Sequence, residues 1–187
     1  MRTATIDRTK DWTVEDYLQL GEMKTPCQLI NGELIMSPSP SPQHQMISSK
    51  LNDLLKAEAR KTGGIVFYAP MDLYLDNRNV FQPDLIYVSE KNKNIITDRG
   101  IEGVPDLVIE IISPSNVFSD RNTKLKAYLE FGITEYWIVD PGNNTLEIYL
   151  ASQKNPEVPH FYLAGEGKVA STVLQSINFD LKEIFLP

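Results

Sequence analysis

The stretch PDLVIEII, residues 105–112, decides the fold. From 107 to 112 every residue except Glu110 is apolar, the pattern of a central strand covered on both faces. Strand side chains alternate, so Asp106, Val108, Glu110 and Ile112 share one face while Leu107, Ile109 and Ile111 share the other. Glu110 is the anomaly. A buried carboxylate without a partner costs several kcal/mol, or its pKa rises until it is neutral. A divalent cation shared with a second acid would compensate it, as would a core arginine or a solvated cleft on that face. Asp84, which opens the apolar run 85–88 just after Pro83, could share such a cation. Asp106, next to Pro105, reads as a turn or strand-entry residue, with a site role as the alternative.

Working outward, residues 120–131 read as a helix closed by Gly132, and 135–139 as a second buried strand stopped by Asp140-Pro141-Gly142. Residues 145–150 return as its hairpin partner. Upstream, Thr13 before Val14-Glu15-Asp16 has the form of a helix cap, with a short helix to about Leu20. Asn31-Gly32, between the strand-like runs 28–30 and 33–36, is a favoured two-residue hairpin turn. The alternating serines and prolines of 37–42 exclude helix and central strand. Ser41-Pro42 then supplies a cap and a first-turn proline for a helix that carries Ile47, Leu51, Leu54 and Leu55 towards Gly63-Gly64. Residues 65–68 and 71–75 are β-prone. The remainder, 151–187, reads as a peripheral β extension with strand-like 161–163 and a final Ile184-Phe185. No repeat or linker interrupts the chain. The expectation is a single α/β (α+β) domain over 1–187 with its core at about 27–150.

Composition limits the chemistry. The 187 residues are 42% apolar, enough to bury a core that folds without disulfides or metal. The single cysteine, Cys27, excludes an internal disulfide and a cysteine zinc cluster, and two histidines, His44 and His160, exclude a three-histidine metal site. A metal would be held by carboxylate and carbonyl oxygens, which favours Mg²⁺, Mn²⁺ or Ca²⁺. No window approaches the ~20 apolar residues of a membrane helix. The opening segment 1–12 lacks the apolar core of a signal peptide, so no membrane partner and a cytoplasmic location are expected. Eighteen Lys+Arg against 25 Asp+Glu give a net charge of −7, unsuited to a non-specific nucleic-acid coat. Contact with a polyanion then needs a local patch, or a metal that inverts the sign of the site.

Cationic partners come from the helix after the central strand. Asp120, Lys124 and Tyr128 recur at i, i+4 and i+8 and stack along one side. With Leu125, Tyr128 and Leu129 inward, Lys124 and Lys126 flank that face on either side, and periodicity does not choose between them. Asp120 and Lys124 also read as a surface ion pair, and Asp120 as a helix cap. His44, on the second turn of its helix, reads as a site-lining donor or as a brace for the Ser-Pro loop. With His160 in the tail, a Ser-His-Asp triad has little support.

At this point the sequence resembles a known family. Pro83-Asp84, the run from Pro105-Asp106 through Glu110 to Ser113-Pro114-Ser115, then Asp120, Lys124 and Tyr128, and Gly132 through Glu135-Tyr136-Trp137 to Asp140-Pro141 are similar to the Uma-type putative restriction endonucleases of the PD-(D/E)XK nuclease superfamily. Asn31-Gly32-Glu33, the Ser-Pro loop and His44 extend the resemblance over roughly residues 12–150. It implies a restriction-endonuclease-like core, a mixed sheet flanked by helices, with an N-terminal hairpin. It implies a metal-dependent phosphodiester hydrolase acting on DNA, with Mg²⁺ or Mn²⁺ as cofactor. Asp84 matches the aspartate of the PD element and Glu110 the acid of the (D/E)XK element. The lysine expected two residues later is Ile112, and the matching lysine is Lys124 on the following helix. The resemblance thus implies metal binding by Asp84, Glu110 and the backbone carbonyl of Ile111, with Lys124 as the catalytic cation. Glu33 is a further candidate ligand or water-positioner, and an exposed hairpin glutamate otherwise. A homodimer that pairs two sites is the expected assembly. The competing function is a catalytically silent nuclease fold used for binding, which the displaced lysine and acidic charge favour. A hydrolase of small phosphorylated substrates ranks third, because neither Gly63-Gly64 nor 100–103 forms a phosphate-cradling loop.

Overall fold

The computed structural model describes residues 9–21, 25–37, 39–114 and 117–186; Pro38 of the Ser-Pro loop and Ser115 of the quoted motif lie outside them. The order is α1 (Val14–Gln19), β1 (Cys27–Ile30), β2 (Glu33–Met36), α2 (Pro42–Thr62), β3 (Ile65–Tyr68), β4 (Leu73–Asp76), β5 (Asn79–Phe81), β6 (Leu85–Val88), a 3₁₀ segment (Glu90–Ile95) and β7 (Ile101–Glu102). Then follow β8 (Leu107–Ile111), a π-helical stretch (Ser119–Lys124) running into α3 (Leu125–Glu130), β9 (Glu135–Asp140), β10 (Thr145–Leu150), β11 (Phe161–Ala164) and α4 (Lys182–Phe185).

Two mixed sheets result. The larger runs β11-β10-β9-β8-β6-β3, with β8 and β9 its parallel pair. Its strand β8 carries the deciding stretch and is central, as its composition requires. Leu107, Ile109 and Ile111 pack with Ile47, Leu51 and Leu55 of α2, while Val108 and Ile112 pack with Leu125 and Tyr128 of α3. The alternation read from sequence thus separates two cores, one on each face of the sheet.

The hairpin forms as its turn chemistry dictates: Asn31 and Gly32 both take positive φ (52° and 83°), and Ile30 pairs Glu33. It is part of a second sheet, β2-β1-β5-β4-β7, rather than an isolated decoration. The partner β5 lay hidden because it is only three residues long, in the polar run after Asp76. Likewise the strand expected over 71–75 lies at Leu73–Asp76.

Two further expectations are corrected. The tail is not peripheral: Val169, Leu174, Ile177, Phe179, Leu181 and Ile184 are buried in the α2-side core, and Ile184 and Phe185 fall in a helix. Glu135, fully buried, fastens this segment by accepting from the Trp137 indole, the Thr172 N–H and hydroxyl, and the Val173 N–H. Such scattered apolar residues carry no period, so sequence pattern does not reveal their burial. Asp120 is not a helix cap, since it lies inside the π-helical stretch. Among the described residues no helix is long and apolar enough to cross a membrane.

Candidate active site

Strand pairing assembles the acids. β6 and β8 are antiparallel with Leu85 opposite Ile109, so one step further along the register sets Asp84 opposite Glu110. The Asp84 carboxylate accepts the Ile111 N–H at 2.7 Å and faces His44 Nε2 at 3.1 Å, both through Oδ2. His44 reaches it from the first turn of α2, not the second, where its own N–H donates to the capping Ser41 hydroxyl. Burial works against charge on the His44 ring, but Asp84, the Ile111 backbone and Asp120 outweigh it and raise its pKa.

Glu110 is held through a single oxygen by one hydrogen bond and one ion pair. Lys124 Nζ lies 2.9 Å from Oε1, and the Tyr128 hydroxyl donates to the same atom at 2.8 Å. Neither Asp84 Oδ1 nor Glu110 Oε2 accepts a hydrogen bond from the described residues, so each acid keeps one oxygen without a protein donor. Lys124 also lies 3.1 Å from Asp120 Oδ1, an ion pair without hydrogen-bond alignment, which leaves that buried oxygen without a donor. Lys126 is exposed on the opposite side, so packing settles what periodicity left open.

The electrostatics follow from this burial. Glu110 is pushed up to about 8, chiefly by desolvation and then by Asp120 and Asp84, against the attraction of Lys124. Burial likewise raises Asp120 despite Lys124. Desolvation opposes the Lys124 charge, yet Glu110 and Asp120 raise its pKa above the ordinary lysine value, so it stays an ammonium. Tyr128 is held well above the ordinary phenol value, first by burial and then by Glu110, so it stays a donor. Three carboxylates thus face one ammonium and one imidazole. A proton on Glu110 or a cation in the cleft is needed for balance.

These groups line one cleft of about 320 Å³ together with Pro26, Gln28, Ser37, Ser39, Gln45, Gln82 and Ser113. Gln82 and Gln28 carried no signal in the sequence beyond Gln82's place before Pro83-Asp84. Here the Gln82 N–H donates to Gln28 Oε1 at 3.0 Å, and its amide donates to Asp72 Oδ1 at 2.7 Å. Arg121, also unforeseen, clamps the π-helical stretch to β9 and β10 through Asp140 (2.9 Å) and Glu147. Two other candidates are not brought here. Glu33 is exposed on the hairpin. Asp106, at the other end of β8, accepts from the Ser89 N–H and hydroxyl and from Asn92.

The donor set fits a hard divalent cation: the two carboxylates, each with one oxygen free of donors among the described residues, and the Ile111 backbone beside them. Among the described residues no group of three or more His, Cys, Asp or Glu side chains is gathered for a metal. The fit therefore rests on the two carboxylates and the excess of negative charge.

Comparison with known proteins agrees with this architecture. The chain is 27% identical over 186 residues to an uncharacterized protein of Synechocystis sp. PCC 6803, covering 97% of each. It shares its fold with a crystal structure of a putative nuclease of the DUF820 group from Anabaena variabilis, at a TM-score of 0.74 and 19% identity, over 92% of this chain and 97% of that one. The family model described as "Putative restriction endonuclease" matches residues 14–182, which takes in the cleft and also the buried tail beyond it, and the chain belongs to that Uma2 family.

Proposed function

We propose that the protein is a metal-dependent phosphodiester hydrolase acting on DNA. The observation that carries the reading is the meeting of Glu110 and Lys124 at 2.9 Å in a cleft that also contains Asp84. Asp84, Glu110 and the Ile111 carbonyl would hold Mg²⁺ or Mn²⁺, which supplies Lewis acidity toward the phosphoryl group and toward water. The remaining work falls to the chain's own residues. Lys124 offers a fixed positive charge to the negative charge that develops as water oxygen attacks phosphorus and the ester P–O bond breaks. Its raised pKa makes it a charge stabiliser rather than a proton acceptor. Tyr128 fixes the Glu110 carboxylate, while His44 and the Ile111 N–H fix Asp84. Hydrolysis leaves the water's hydroxyl on phosphorus and its proton on the departing oxygen.

The test is cleavage of supercoiled plasmid and of circular single-stranded DNA with Mg²⁺ or Mn²⁺, wild type beside Asp84→Ala and Glu110→Ala. Loss of cleavage in both variants is expected, and equal activity in all three would refute the site. The silent-fold reading draws on the closed pairing of Lys124 with Glu110 and Asp120. It requires that neither cation changes the thermal stability of the wild type.

A further inference from the structure

Beside the cleft runs a shallow groove of about 570 Å³ that shares Gln28, Ser37 and Lys124 with it and is walled by Ile35, Met36 and Phe118. Phe118 is three-quarters exposed (75%), the most exposed of the molecule's large apolar side chains among the described residues. Ile35 and Met36 on β2 are exposed as well. Exposed apolar side chains gathered along one groove, unlike those scattered singly, mark a place for a partner.

The surface continues directly from the candidate catalytic cleft, so its occupant is the chain that enters the cleft. Resting on the phosphodiesterase reading, we infer that this occupant is an unpaired nucleic-acid strand, with a base next to the scissile phosphate stacked on Phe118. Three observations converge on this substrate class. Duplex binding draws on several Lys and Arg contacts to phosphates. Among the described residues that line cleft and groove, Lys124 is the only lysine or arginine, and it is paired with Glu110 and Asp120. The net charge of −7 adds no general attraction. Beyond the single phosphate that a cleft cation would hold, affinity then falls to stacking, and away from duplex ends only unpaired bases present free faces to an aromatic side chain. Finally, the cleft volume of about 320 Å³ lies at the lower end of the ~300–1,000 Å³ typical of small-molecule pockets. Ser37, Ser39 and Pro40 share its lining with the acids, and its size suits one nucleotide of a flexible strand.

The experiment is fluorescence anisotropy with the full chain carrying Glu110→Gln, in Mg²⁺. The probes are a labelled oligothymidylate of about 20 nucleotides, longer than the ~4–16-nucleotide footprint of single-strand sites, and a blunt duplex of the same length. Oligothymidylate is expected to bind about 10-fold or more tightly than the duplex. Adding Phe118→Ala should weaken oligothymidylate about 5-fold or more and leave the duplex unchanged, and Phe118→Trp should restore binding. Equal or tighter duplex binding, no binding of either probe, or an unaffected Phe118→Ala variant overturns the inference. So does a sedimentation change from dimer to monomer in Phe118→Ala at unchanged oligothymidylate affinity, which would assign the groove to a second copy of the chain. Wild-type cleavage of supercoiled and circular DNA separates the two ideas. Duplex cutting with failed stacking discards this inference alone, whereas no cleavage of any DNA discards the hydrolase reading.

Discussion

Replacing Glu110 by glutamine tests the charge imbalance of the cleft directly. The amide keeps the shape and an acceptor for Tyr128 and Lys124 but carries no charge at any pH. In the wild type, burial among Asp84 and Asp120 moves the Glu110 pKa from 4.5 up to about 8. The folded state therefore favours the protonated form more than the unfolded chain does. Its contribution to stability is complete below about pH 4.5 and is lost as pH rises through about 8. At 1.36 kcal/mol per pKa unit the full span has an upper bound of roughly 5 kcal/mol. Water penetration and relaxation around the Lys124 pair leave about 1–2 kcal/mol, or roughly 2–8 °C in a domain of this size. Thermal unfolding without divalent metal should give nearly equal midpoints at or below about pH 4.5, and a gap that opens as pH rises towards 8. At about pH 9 the Glu110→Gln variant should unfold higher, by that margin. Mg²⁺ should raise the wild-type midpoint at high pH, and the variant's much less. Parallel pH curves for the two proteins, or a variant less stable at pH 9, would refute the charge argument.

Three other substitutions probe the same design. Lys124→Met should lower cleavage by about 10²–10³-fold, and lower the thermal midpoint because Glu110 and Asp120 lose their shared cation. Tyr128→Phe should cost only about 1 kcal/mol, read by denaturant titration, since Lys124 still serves Glu110 Oε1. The freed carboxylate should weaken Mn²⁺ affinity about 10-fold by calorimetry. Burial works against the Asp140 charge, but hydrogen bonds from Asn143, Arg121 and the Gly142 N–H overcome it and lower its pKa. That stabilisation is present above the unfolded value near 3.9 and is lost as pH falls through the lower native one. The acid limb of the stability curve should accordingly be shallower in Asp140→Asn.

Much of this architecture was legible in the chain. An uninterrupted apolar run names a strand covered twice, and its period of two assigned Val108 and Ile112 to one core and Leu107, Ile109 and Ile111 to the other. Asn31-Gly32 fixed its hairpin because both residues tolerate positive φ. Other features left little trace. Glu135 looked like any strand-entry residue, although its carboxylate gathers donors from Thr172 and Val173, far along the chain. The buried tail looked peripheral because isolated apolar residues in irregular backbone have no periodicity to read.

Sequence by itself determined which side chains lie on which face of the central strand, since that follows from backbone geometry within a few residues. It also ruled out a three-histidine site and a cysteine cluster, because it supplies two histidines and one cysteine. Tertiary structure alone decided that Lys124 turns inward while Lys126 stays in water, and that Asp84 stands opposite Glu110. It also decided that Glu33 and Asp106 stay away from the cleft. The physical reason is range. Local periodicity fixes direction around one strand or helix. Which charges meet, and what burial then does to their pKa values, depends on how separate elements pack.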